Sequence, residues 1–70
     1  MSLQEQTIQP QRKILRLRDV ETQIGFKRGF IYKYIKEGTF PKPIRIGSRS
    51  VGWDSIEIDR WVADRLHRQN

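Results

Sequence analysis

A mostly helical fold with a small β-hairpin is what this 70-residue sequence predicts, and three observations carry the prediction. Two short amphipathic segments are joined by a tight turn at Gly25. Two short β-type runs, "IRI" and "VGW", flank the loop "GSRS". A third amphipathic segment follows directly after them. In that order, the elements outline a winged helix-turn-helix.

The elements follow one another from the N-terminus. Residues 1–12 are polar, lack periodicity and contain Pro10, which makes them a flexible N-terminal arm before a single domain over residues 13–70. "KILRL" alternates too briefly to stand alone, but it has the pattern of a third strand beside the hairpin. "LRDVETQIGF" places Leu17, Val20 and Ile24 on one face and ends in Gly25, the residue that most readily takes the left-handed position after a helix. "KRGFIYKYIKEG" repeats the design, with Ile31, Tyr34 and Ile35 as the stripe and Gly38 as the stop. Pro41 and Pro43 then hold the chain extended. The "GSRS" loop offers Gly47 for a positive φ. Asp54, followed three residues later by Glu57, reads as a capping box that opens the last helix. That helix carries Ile58, Trp61, Val62 and Leu66 on one face and frays into "HRQN". Phe40 and Trp53 are the apolar posts that fix the hairpin to the helices. Both tryptophans, Trp53 and Trp61, belong to the core.

Composition narrows the function. So short a chain buries too little to hold a deep catalytic cavity as well as a core. With no cysteine there is no disulfide framework or thiolate metal site. The only histidine, His67, falls near the end of the last helix, and the carboxylates cluster where caps and solvated faces need them. No metal-ligand spacing or phosphate loop appears, so the reading is a non-enzyme without cofactor or small-molecule substrate. No apolar run approaches membrane-spanning length and no signal segment begins the chain, so the expected setting is cytoplasmic, with no membrane partner.

The net charge is +6, and its distribution is uneven. Residues 1–26 hold four cations and three anions, and residues 50–70 hold three and four. Residues 27–49 hold seven cations against Glu37 alone. An excess so localised points to a polyanion as partner. With Ile31 and Ile35 turned inward, Arg28, Gly29, Tyr32, Lys33 and Lys36 fall on the outer side of the second helix, with Lys27 at its edge. A helix bearing that face fits a major groove about 12 Å wide. Lys42, Arg45, Ser48 and Arg49 belong to the hairpin segment, where small residues leave room for a phosphate backbone or the adjacent minor groove. The expected partner is double-stranded DNA, read by residues 27–36 and braced by the wing.

The string "IYKYIKEGTFPKPIRIGSRSVGW", followed by "EIDRWVADR", closely resembles the AlpA-type prophage regulators, relatives of the excisionase and MerR-like DNA-binding domains. The matches run from Ile31–Tyr32 and Gly38 through Phe40-Pro41, Pro43, Gly47 and Val51-Gly52-Trp53 to Glu57-Ile58-Asp59 and Trp61. The resemblance spans residues 14–65. It implies a transcription regulator of a mobile element or, as in some members, a recombination directionality factor acting with an integrase. It also implies residence on the bacterial nucleoid. The chain departs from the family pattern where serine or threonine usually opens the recognition helix. Here stand Lys27, Arg28, Gly29 and Phe30, which removes the hydroxyl cap and implies a different target.

Two competing readings carry their own discriminators. In one, the face around Val62 and Leu66 recruits an integrase or RNA polymerase, a contact that would survive high salt. In the other the partner is structured RNA, though no aromatic stacking platform is evident. A domain of this size touches only a few base pairs, so dimers or side-by-side copies on DNA are expected.

Overall fold

A computed structural model describes residues 11–68. In chain order the elements are β1 (Ile14–Leu15), α1 (Leu17–Ile24), α2 (Arg28–Glu37), β2 (Ile44–Arg45), β3 (Val51–Asp54) and α3 (Ser55–Arg68). Three helices and a small antiparallel sheet thus appear where the sequence places them. Most of the expected arm lies outside the described residues.

Both glycine stops act as the sequence predicts. Gly25 adopts φ 81° and its N–H donates to the Glu21 carbonyl at 2.8 Å. Gly38 adopts φ 82°, with its own N–H on the Ile35 carbonyl (3.0 Å) and the Thr39 N–H reaching back to Tyr34 (2.9 Å). This paired closure satisfies carbonyls that a helix end leaves without donor partners. At the start of α1, the extended Arg16 donates its backbone N–H to the Asp19 carboxylate at 2.9 Å. Three residues, Gly25, Phe26 and Lys27, turn the chain between α1 and α2.

The sheet order is β1-β3-β2, so β3 is the middle strand. Ile14 pairs with Asp54 and Leu15 with Trp53 on one side; Ile44 pairs with Gly52 and Arg45 with Val51 on the other. The "KILRL" segment does supply the third strand, shortened to two residues. Side chains extend this short ladder at both ends. Ser55 donates its N–H to the Lys13 carbonyl, but its own carbonyl is committed to α3. The buried Ser55 hydroxyl therefore accepts the Lys13 N–H in its place, at 2.9 Å. At the other end, where the chain turns into α1, Arg16 Nε–H donates to the Val51 carbonyl at 3.2 Å.

Leu15, Val20, Ile31, Phe40, Trp53 and Ile58 form the buried core, with Leu17, Ile24, Tyr34, Ile35, Trp61 and Val62 packed around it. Trp53 has no exposed surface. The extended proline segment works as an acceptor rail for the two indoles. Trp53 Nε1–H donates to the Pro41 carbonyl at 3.0 Å and Trp61 Nε1–H to the Thr39 carbonyl at 2.8 Å. Between these carbonyls Phe40 turns into the core and meets Trp61 edge-on, at 4.8 Å between ring centroids. A buried indole needs its N–H satisfied, and this segment does so for Trp53 and for the half-buried Trp61 as well.

Two local expectations are corrected. Gly47 does not take a positive φ; among the described residues only Gly25 and Gly38 do. The "GSRS" loop closes instead through the Ile46 and Gly47 N–H groups, both donating to the Ser50 carbonyl. The start of α3 is also simpler than a reciprocal box. The Asp54 carboxylate caps the Ile56 N–H at 3.0 Å, and its companion is Arg12 rather than Glu57. Arg12 grips Asp54 through two bonds, 3.2 and 2.6 Å long, and that hydrogen bonding holds the carboxyl below the usual carboxylate range. Among the described residues no helix is long and apolar enough to cross a membrane.

Candidate nucleic-acid interface

The second helix and the hairpin are the two parts of the candidate surface, and one aromatic contact joins them. Tyr32, on the outer side of α2, meets the buried Trp53 of β3 edge-on, with ring centroids 6.4 Å apart. Tyr32 itself remains 43% exposed, enough to offer its hydroxyl to a partner. All ten sequence-predicted residues, Lys27, Arg28, Gly29, Tyr32, Lys33, Lys36, Lys42, Arg45, Ser48 and Arg49, are exposed. None of their seven cations forms an ion pair among the described residues, where the pairs are Arg12–Asp54 and Arg68–Asp64. The positive charge of residues 27–49 is therefore not neutralised within the fold, and the surface is available to an anion.

The start of α2 adds to this. Lys27 is extended and its side chain caps nothing, while the Phe30 and Ile31 N–H groups both use the Lys27 carbonyl. The Arg28 and Gly29 amides precede the first intrahelical acceptor and point along the positive end of the helix dipole. The missing hydroxyl cap expected from "KRGF" is thus a property of the structure. A Cβ added to Gly29 would meet nothing within 4 Å, so packing within the chain does not require glycine there.

At the hairpin tip Arg45 and Arg49 take different roles. Arg45 Nη1 donates to the Ser48 carbonyl at 3.0 Å and stiffens the turn, whereas Arg49 stands exposed at the tip.

Several contributors escaped the sequence reading. Arg16, bound at the Val51 carbonyl, brings an exposed guanidinium to the loop end of β3. Phe26 and Phe30 stack at 3.9 Å and nearly parallel, setting the angle at which the chain enters α2, and Tyr34 packs edge-on against Phe30. Arg65 of α3 lies over Trp61 and Tyr34, at 4.7 and 5.2 Å from the ring centroids, and so ties α3 to the flank of α2. Periodicity marks apolar stripes; it carries no signal for an arginine laid on two rings.

The family model described as Prophage CP4-57 regulatory protein (AlpA) matches residues 13–66, from the residue before β1 to the last turn of α3. The chain belongs to the AlpA family of prophage regulatory proteins. It is 39% identical over 59 residues to the DNA-binding transcriptional activator AlpA of Escherichia coli (strain K12), covering 76% of this chain and 84% of that protein. It is 34% identical over 56 residues to the uncharacterized protein ORF88 of Enterobacteria phage P4, covering 80% of this chain but 64% of the phage protein. No solved structure gives a significant match. As an AlpA-family fold, the three helices and the sheet carry the architecture of a winged helix-turn-helix.

Proposed function

We propose that the chain is a sequence-specific binder of double-stranded DNA that regulates transcription for a prophage or related mobile element. In this reading α2 enters the major groove, with Arg28, Tyr32, Lys33 and Lys36 toward the bases and Lys27 and the free helix-start amides on phosphate. Lys42, Arg45, Ser48 and Arg49 brace on the neighbouring backbone or minor groove. The observation that carries the reading is the pair of adjoining elements, α2 and the hairpin, that share seven cations with no ion-pair partner among the described residues. The bare surface at Gly29 supports it, since a glycine that packing does not need leaves room for another molecule's backbone. The name of the E. coli relative supports the same function, and family membership favours a regulator over an enzyme. Such a protein works in the bacterial cytoplasm on the nucleoid, with copies side by side extending a short target.

The test is selection from a random duplex pool at two salt concentrations. An enriched motif, with a log–log salt slope of roughly −4 to −6 for about five phosphate contacts, is the expected result. Arg28→Ala should then relax preference at one base pair, whereas Arg49→Ala should weaken every duplex alike and reduce the slope by about one. Equal loss on all duplexes from both variants would overturn base reading by α2. Salt-sensitive binding with no enriched motif would replace specific regulation with an architectural role.

A further inference from the structure

The side of the sheet away from the helices carries three isoleucines in water. Ile14 lies opposite Asp54 and Ile44 opposite Gly52, and strand alternation puts all four on the face opposite Trp53. Ile46 joins them: it and Ile14 both reach over Gly52, where a side chain would otherwise stand. Ile14, Ile44 and Ile46 are 53, 47 and 40% exposed. The solvent side of an antiparallel sheet ordinarily carries polar residues, and a cluster of aliphatic side chains there marks an interaction surface.

The charge around the cluster selects its occupant. Arg12, Lys13, Ile14, Ile44 and Asp54 line a hollow of about 320 Å³. Asp54 is its only carboxylate and is already held by Arg12, so the hollow keeps a positive surplus. A second copy, itself carrying +6, is disfavoured by like-charge repulsion. We propose that this face docks a peptide segment of a partner protein in which aliphatic side chains alternate with carboxylates. The aliphatic groups cover the isoleucines and the carboxylates face Lys13 and the outer side of Arg12. None of these residues belongs to the DNA-reading set, so this proposal and the DNA reading stand or fall separately.

The test is methyl-resolved NMR of the isoleucine-labelled 70-residue chain, titrated with a ten-residue peptide alternating leucine and aspartate. The same peptide with lysine for aspartate is the comparison. The Ile14, Ile44 and Ile46 methyls should shift with the aspartate peptide, which should bind about tenfold more tightly than the lysine peptide. Ile44→Thr or Ile46→Thr should lose about tenfold in affinity while the Trp53 indole signal stays in place. Four outcomes would overturn the proposal. They are equal binding of both peptides, shifts confined to α2 and the hairpin tip, and concentration-dependent shifts of the same methyls without peptide, which would make a second copy the occupant. The fourth is a Leu3→Ser/Ile8→Ser variant that moves these methyls as far as the peptide does, which would make the chain's own first residues the occupant.

Discussion

At the root of the hairpin, a Cβ on Gly52 would collide with the Ile14 side chain and stand 3.0 Å from the Leu15 carbonyl oxygen. At the tip, a Cβ on Gly47 would meet only Ser50, at 3.6 Å or more. The same residue type therefore does two jobs in one hairpin. Gly52 lets β1 close on the middle strand beside the fully buried Trp53. Gly47 is one small residue in an exposed turn whose geometry any residue can adopt. The root is constrained by the packing of the fold and the tip is not, so sequence variation has freedom at the tip and almost none at the root.

The sharpest way to break this comparison is to add one methyl group at each end. Gly52→Ala should destabilise the chain by about 3 kcal/mol, because the overlap falls partly on backbone that cannot rotate away. In so small a domain that lowers Tm by roughly 15 °C in a thermal melt. Gly47→Ala should leave Tm within about 2 °C, since the added contact is ordinary. Equal losses at both positions would remove the distinction.

The next effect tests the ladder at the root. Ser55→Ala strips the acceptor from the Lys13 N–H and should lose about 1–2 kcal/mol by denaturant titration, with Ser55→Thr recovering part of it. A comparable test lies outside the hairpin, at the turn between the helices. Gly25→Ala forces a side chain into φ 81° and should lose about 1 kcal/mol, although the space around it is open. A neutral result there would mean that the turn relaxes out of the left-handed region.

Asp54 gives the smallest effect and a pH signature. Its carboxyl titrates below the ordinary range in the folded state, chiefly through the hydrogen bond from Arg12. Its contribution is therefore complete above the ordinary carboxylate range, at about pH 4, and is lost as pH falls through the lower folded value. Asp54→Asn should lower Tm at neutral pH and flatten its decline in acid, as followed by circular dichroism. An unchanged acid slope would mean that other carboxylates govern it.

Much of this was legible because a few residues have few conformational choices. Gly25 and Gly38 mark helix ends, Pro41 and Pro43 mark an extended run, and the stripes of α1, α2 and α3 fall at helical spacing. The exposed basic surface could be read from charge alone. What escaped depends on partners distant in sequence. "KILRL" reads as a third strand beside the hairpin, but nothing in its few residues tells that it pairs with β3 rather than β2 and so leaves β3 in the middle. Glu57 looked like the mate of Asp54 because it is three residues away, whereas Arg12, the actual mate, is 42. Gly47 and Gly52 are alike in sequence, and only the neighbours brought to them by folding tell them apart.

That separation also bears on how the chain is made. Lys13–Ser55 and Arg12–Asp54 each join residues 42 positions apart, and Trp53, the largest fully buried side chain, lies late in the sequence. As the chain leaves the ribosome, α1 and α2 can form local turns, but the core they pack on lacks its largest side chain until β3 emerges. A nascent chain that stalls before residue 53 holds the cationic helix without the indole that backs it. Synthesis thus couples the placement of the cations to completion of the fold: they emerge first, and the last quarter of the chain decides whether they are ever held in place.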